Sequence, residues 1–424
     1  MIKFLRNQKL ALLIFVLSAI IFLHSYYKSE IVWKGQNIEF YKQYYFLSLA
    51  FFLIGFFVIF LKDSYKKFFF TISISIIFTL YLFEFYQVFI KKDSLNLGDR
   101  FEIYKKMKET SNNWTVTIPP KSYLELDNEN FFPLSGLSKM KTIFCDENGY
   151  MAIYESDRYG FNNPDDQWEF NEYEFFVIGD SFGHGACVNR PMDITSKLRF
   201  YTKLPSINVS FEGNGPLAEY ASLIEYSKGK KIKNIIWLYY EGNDLVNFRK
   251  ELENKTLVKY LNDKNFSQNL TDLQNKTDKY GQEIINTEFE YLKKQKKIKI
   301  IRFIKLEKLR KILHKEQIVH YNQEVYPIEF EKIIKNFAKK AKEMNSNIIF
   351  VYLPAYASFS DYNYDNFYNQ VMSAVMKEDI QIIDLKKFFT ENDPFSFFPN
   401  RNNGHYTPEG YDKIAEFITQ NIDK

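Results

Sequence analysis

The reading of this chain turns on Phe175-Phe176-Val177-Ile178-Gly179-Asp180-Ser181-Phe182-Gly183. Four consecutive aromatic and β-branched residues make a short buried strand, and Gly179 ends it. A serine then sits on the tight turn leading out of the strand. Such a turn exposes the hydroxyl and leaves backbone N–H groups without partners. Acyl transfer needs both, as a nucleophile and as donors to the oxyanion that forms. The pattern fits the G-x-S-x-G elbow between a strand and a helix. It also fits a plain turn.

Downstream the same grammar repeats. Pro191 to Tyr201 is expected as a helix with proline at its start, and Ile207 to Ser210 as a second strand. Pro216 to Ser227 is the next helix, with Gly229 suited to its C-terminal end, and Asn234 to Tyr240 the third strand. Beyond an interruption come an amphipathic segment at Glu329 to Met344, a strand at Asn347 to Leu353 and a helix at Asp365 to Met376. Ile380 to Leu385 is a further strand, and Pro408 to Ile422 the closing helix. Strands alternating with helices of this length imply parallel βαβ units in a three-layer α/β fold. In such sheets, sites form at the carboxyl ends of the strands.

Three further segments fall at those ends. Glu212-Gly213-Asn214-Gly215-Pro216 follows the second strand, Glu241-Gly242-Asn243-Asp244 the third, and Asn403-Gly404-His405-Tyr406-Thr407-Pro408-Glu409-Gly410 precedes the last helix. With Ser181, these four ordered blocks resemble the SGNH, or GDSL-like, hydrolase family over about residues 174–244 and 345–421. The resemblance implies a three-layer α/β/α sandwich with a parallel, flavodoxin-like sheet. It implies Ser181 as nucleophile, His405 as base, and an oxyanion hole of the Ser181 and Gly213 N–H groups with the Asn243 side chain.

One position departs from the family. It usually carries an aspartate three residues before the histidine, and here that residue is Asn402. An amide can accept from the imidazole N–H but cannot stabilise imidazolium by charge; asparagine in place of the acid of a serine-protease triad lowers kcat about 10⁴-fold. Candidates for orienting His405 are therefore Asn402 itself, a backbone carbonyl, Asp384 or Asp393. A set of Ser181, Asp384 and His405 in an α/β-hydrolase sheet is a second enzyme reading. A catalytically weak or inactive protein of the same fold, serving as a glycan-binding or scaffold module, is the reading from another class. His184 is either a second base or a packing residue. Asp180 and Asp244 are expected to bond turn backbone.

The chain has 424 residues, 46% hydrophobic and 18% aromatic, with 43 Phe and 31 Tyr. Mean hydropathy is nevertheless −0.33, so the apolar residues are unevenly placed. Two cysteines exclude a disulfide-dense scaffold and a Cys-rich zinc module. Cys145 and Cys187 are a candidate disulfide, joining the segment before the first strand to the nucleophile loop. No clustered metal-ligand set, phosphate loop or dinucleotide fingerprint is visible, so neither a metal nor a cofactor is expected.

The apolar excess lies at the N-terminus. Leu10 to Tyr27, Tyr44 to Leu61 and Phe68 to Ile90 are each close to the ~20 residues that span a bilayer. No small-residue cleavage site follows the first run and two more runs do, which argues against a signal peptide. Lys3, Arg6 and Lys9 precede the first run, and Lys62, Lys66 and Lys67 lie between the second and third. The positive-inside rule places both groups in the cytoplasm and everything after the third span outside; Lys91 and Lys92 run against that count. Glu84, in the third run, is expected as an acid near the outer interface. Residues 1–90 carry a net charge of +5 and the remainder −1.

The expected organisation is a three-span anchor at 1–90, an extended connector at 91–173 packing on the next domain, and an SGNH-like domain at 174–424 with a helical insertion at 245–326. Within that insertion, 292–315 holds 11 Lys/Arg and one acid, with Ile298, Ile301, Ile304, Leu306, Leu309 and Leu313 at roughly helical spacing. It is a solvated face, a basic helix for an anionic membrane surface, or an attractor for a polyanionic substrate. The three apolar runs and their Lys/Arg flanks predict a multi-pass protein of the plasma (inner) membrane, with the SGNH-like domain extracytoplasmic. Its partners would be the bilayer and an acyl-ester or glycan substrate, with no nucleic acid. The activity would be that of a serine esterase or O-acyltransferase.

Overall fold

The computed structural model describes residues 8–32, 35, 38–90, 97–118, 131–313, 326–360 and 367–422. The chain divides into two compact units, one of residues 1–91 with 300–319, the other of 92–299 with 320–424.

The first unit holds three helices long and apolar enough to cross a membrane: Lys9–Val32, Tyr41–Phe60 and Asp63–Val88. Their outward Leu, Ile and Phe side chains are exposed, as lipid-facing surface would be. The first two helices are joined by a reciprocal polar clasp. Ser18 Oγ donates to the Ser48 carbonyl at 2.8 Å, and Ser48 Oγ to the Ser18 carbonyl at 2.9 Å. Small hydroxyl residues allow such close approach where no water competes.

Part of the basic segment belongs to this unit. The long helix Gln274–Ile304 stops at Lys305 and Leu306, where Leu306 takes a positive φ of 50°, and Glu307–Leu313 begins a new helix. Phe303 packs on Tyr81, whose hydroxyl donates to the Ile304 carbonyl at 2.8 Å. Glu84 does not face outward from this unit. It is fully buried, and its carboxylate accepts the backbone N–H groups of Lys308 and Leu309, each at 2.8 Å. A carboxylate at the open end of a helix satisfies donors that otherwise lack partners. The side chains of 292–302 and 311–315 lie outside the described residues.

The second unit is built on a five-stranded parallel sheet. Its strands follow a small three-stranded sheet of β1 (Trp114–Val116), β2 (Lys141–Ile143) and β3 (Ile153–Glu155), in which β1 and β2 are parallel and β2 and β3 antiparallel. The large sheet comprises β4 (Glu172–Gly179), β5 (Ser206–Asn208), β6 (Lys231–Tyr240), β7 (Asn347–Leu353) and β8 (Gln381–Asp384) in the order β5-β4-β6-β7-β8. Phe175, Val177, Ile236, Leu238, Ile349 and Val351 cluster with helices 194–202, 385–391 and 408–421. Phe176, Ile178, Ile235, Trp237 and Phe350 cluster with helices 216–226, 329–343 and 368–376. Successive strand residues thus serve opposite cores, and for this reason the strands read as near-continuous apolar runs.

Several expected boundaries move. The helix expected from Pro191 starts at Ile194, because Asp193 caps it by accepting the Ser196 N–H at 2.8 Å. Strand β4 begins at Glu172 rather than Phe175, since Glu172 and Glu174 pair with Lys231 and Lys233 on β6. The connector at 91–173 is not wholly extended: Leu97–Lys108 is a helix that buries Phe101 and Tyr104. Residues 91–96, 119–130, 314–325 and 361–366 lie outside the described residues.

Candidate active site

The chain runs from β4 to β5 on one side, then crosses back to β6 on the other, so β4 lies between its two successors. A sheet opens a crevice where its winding reverses in this way. Ser181 follows the carboxyl end of β4, Gly213 that of β5 and Asn243 that of β6. The strand order therefore sets the nucleophile candidate between the two other blocks.

The turn at Ser181 is held from below. Asp180 accepts the Phe182 N–H at 2.8 Å and starts the one-turn helix Ser181–His184. Gly183 is required by close packing, because a Cβ there would lie 2.4 Å from Ser210 Oγ. Gly213 has φ +80°, the left-handed conformation in which a side chain is costly. Its loop is fixed by Glu251, whose carboxylate accepts the Gly215 and Leu217 N–H groups at 2.6 and 3.0 Å. Asp244 accepts the Tyr240 N–H at 2.8 Å and closes the turn that carries Asn243. Asn243 Oδ1 is buried and has no hydrogen-bond partner among the described residues.

His405 meets Ser181. Its Nε2 lies 2.9 Å from Ser181 Oγ. The side chains expected to orient the ring are elsewhere. Asn402 donates to the Asn400 carbonyl at 3.0 Å on the surface. Asp384 caps helix Leu385–Glu391 through the Lys386 N–H at 2.9 Å and accepts the Tyr368 hydroxyl at 2.5 Å. Asp393 pairs with Arg401 at 2.7 Å. None of the three contacts His405.

Glu147 takes that position. Its Oε2 lies 3.1 Å from His405 Nδ1 and accepts the His405 backbone N–H at 2.6 Å. Glu147 stands at the tip of the β2–β3 hairpin, 258 residues before the histidine. Gly404 makes room for it, since a Cβ at that position would lie 2.7 Å from Glu147 Oε2. Cys145 and Cys187 are joined in a disulfide that fastens this hairpin to the loop following Ser181. The three catalytic-type groups thus occur in the order acid, serine, histidine. Sequence reasoning missed Glu147; the one available signal was its place two residues after Cys145.

The electrostatics match the geometry. Burial alone would depress the His405 imidazole, but the bonded Glu147 carboxylate, with the charges of Asp180 and Glu212, outweighs it and holds the pKa above 6.5. Burial likewise opposes ionisation of Glu147, yet the His405 bonds and the Arg100 charge leave its pKa below 4.5. Both partners are displaced toward the charged pair. His184 is different in kind. Burial lowers it to about 3, so it is neutral. Its Nδ1 accepts the Glu212 N–H at 3.1 Å, which leaves Nε2 to donate to Tyr154 Oη at 3.0 Å. It is packed among Phe144, Tyr154 and Phe211 and has no free nitrogen for base chemistry. Burial raises Asp180 to about 6.

The described residues include one compact group of three metal-ligand types, Cys145, Cys187 and His405. In the disulfide form neither sulfur is a thiolate ligand.

No protein-family model matches the chain, and no curated protein matches it. Among solved structures the chain is similar to that of a protein attributed to the G-D-S-L lipolytic family of Desulfitobacterium hafniense DCB-2. Identity is 12% over 59% of this chain and 99% of that one, with a TM-score of 0.33.

Proposed function

We propose that the protein is a membrane-anchored serine esterase or O-acyltransferase of the SGNH type, acting on ester-linked acyl groups through an acyl-enzyme on Ser181. The observation that carries this reading is the line from Ser181 Oγ to His405 Nε2 at 2.9 Å and from His405 Nδ1 to Glu147 Oε2 at 3.1 Å. In the proposed reaction Ser181 Oγ attacks the ester carbonyl while His405 Nε2 takes its proton. Glu147 stays ionised, fixes the proton on Nδ1 and stabilises the imidazolium that forms. The Ser181 and Gly213 N–H groups and Asn243 face the developing oxyanion. As the tetrahedral intermediate collapses, the C–O bond breaks and His405 protonates the departing alcohol. Water, or a sugar hydroxyl, then attacks the acyl-enzyme with His405 again as base.

The helices on both faces of the sheet and the strand order support a three-layer, flavodoxin-like sandwich. Three helices of spanning length support the anchor. The Lys/Arg distribution supports an extracytoplasmic catalytic domain in the plasma membrane, and so does the disulfide, since such bonds persist in oxidising compartments. A cell-surface glycan is the proposed acceptor or substrate, in keeping with that location.

A fluorophosphonate probe should label the purified protein and leave Ser181→Ala unlabelled. Equal labelling of both would remove Ser181 as the nucleophile; labelling of neither would point instead to the non-catalytic glycan-binding or scaffold reading.

A further inference from the structure

We infer that the Cys145–Cys187 disulfide is the positioning device for Glu147, so that the acid stands against His405 only while the bond is intact. The inference deepens the reading of Ser181, His405 and Glu147 given above. It rests on where the bond lies. Cys145 precedes Glu147 by two residues, and Cys187 follows Ser181 by six. Both cysteines are buried, and Cys187 Sγ is 3.7 Å from His405 Nδ1, the same nitrogen that faces Glu147. The bond is therefore in contact with the group whose partner it anchors.

The hairpin that carries Glu147 is short, and Phe144, Cys145, Ala152 and Tyr154 pack with Ala186 and Cys187 in one buried cluster centred on the disulfide. Strands β2 and β3 have three residues each. Beyond them the tip is closed by the pair Phe144 N–H to Ala152 carbonyl at 2.9 Å and Ala152 N–H to Cys145 carbonyl at 2.7 Å, and by the Gly149 N–H to Asp146 carbonyl at 2.9 Å. At its base the hairpin is held by Tyr154 Oη against His184 Nε2 at 3.0 Å and by the Ile153 N–H to Asn189 Oδ1 at 2.9 Å; at its tip the ties besides Glu147 include the Asn148 amide to the Cys187 carbonyl at 3.0 Å and to the Tyr406 carbonyl at 3.3 Å. One of the two Asn148 bonds ends on Cys187 itself. Cys187 has φ +63°, a conformation that residues with a side chain rarely adopt. Release of the sulfur lets that residue relax and moves both the covalent tie and an acceptor of Asn148. A two-residue tether leaves the carboxylate little freedom; without it Glu147 gains solvent and loses the imidazole. Reduction by a dithiol balances simply: two thiols form on the protein and the dithiol closes to its own disulfide.

The test reads the imidazole directly. In the full-length protein with labelled histidine, NMR follows the His405 titration, assigned by its loss in His405→Gln; the chain has five histidines, and His184 stays neutral throughout. Glu147→Gln should lower the His405 midpoint. The pair Cys145→Ala with Cys187→Ala should lower it to a similar value, and the triple variant no further. Fluorophosphonate labelling should slow about 10- to 100-fold in the cysteine pair and less than about 2-fold when that pair is added to Glu147→Gln. An unchanged His405 midpoint in the cysteine variant, or an equal slowing in both backgrounds, overturns the inference. Should the cysteine pair not fold, reduction and reoxidation of the assembled wild-type protein supply the same comparison. An unlabelled wild type with a midpoint that moves as described would sink the acyl-enzyme reading and leave the positioning role standing.

Discussion

His405 and Glu147 titrate against one another, and the direction of each shift sets the pH behaviour. In the proposed reaction His405 must be neutral to take the Ser181 proton, so the rate should rise with pH through a midpoint above 6.5. Removing the Glu147 charge lowers that midpoint and lowers the plateau. For Glu147→Gln, kcat/KM is expected to fall about 10²- to 10⁴-fold, in the range of acid-to-amide changes in serine triads, with the acid limb of the profile displaced to lower pH. A rate within about 3-fold of wild type would exclude Glu147 from the mechanism. The pair also stabilises the fold. Its contribution fades as pH falls through the lowered Glu147 value and as it rises through the raised His405 value. Gly404→Ala is a sharper probe, because the new methyl would meet only the flexible end of Glu147 at 2.7 Å. It should reduce kcat/KM about 10-fold or more without unfolding, whereas Asn402→Asp should change it less than about 2-fold. A gain with Asn402→Asp would restore the expectation the structure has displaced. The meeting of Ser181 and His405 was expected from two local blocks, whereas the contact of Glu147 with His405 was not, because it is made across a hairpin and a disulfide and has no fixed spacing from the histidine.

The strands and helices of the large sheet were legible because both faces are buried and the apolar runs are long. β7 was located to the residue. The helix Leu97–Lys108 was not, since its buried Phe101 and Tyr104 stand among lysines and acids whose pattern suggested a loop. Nor could the sequence reveal that Glu84 and Lys308, 224 residues apart, are bonded. That contact has a measurable cost. Leaving the Lys308 and Leu309 N–H groups without an acceptor costs about 1–3 kcal/mol, which corresponds to about 5- to 150-fold faster hydrogen exchange at those amides. Glu84→Ala should show that acceleration by exchange mass spectrometry over helix Glu307–Leu313. Unchanged protection there would mean that the carboxylate does not hold the helix.

The net charge of +4 conceals an N-terminal region of +5 and a remainder of −1, and the structure divides close to that line, at residue 91. The basic segment is the exception: 300–319 belongs with the apolar helices although the sequence places it deep in the half that carries the parallel sheet. Charge counts and the disulfide together set an expectation for topology. A reporter enzyme that is active only outside the cytoplasm should be silent when fused at Ser64 and active when fused at Thr110. The opposite result would reverse the orientation and leave the disulfide in a reducing compartment.

A single oxygen, Glu147 Oε2, receives both the backbone N–H and Nδ1 of His405. An unrestrained imidazole would sample three χ1 wells and two ring orientations. Holding it in one of about six states is worth about 1 kcal/mol of rotational entropy, spent during folding instead of during the reaction. The carboxylate therefore does more than stabilise a charge. It is a hinge pin that fixes the heading of the imidazole.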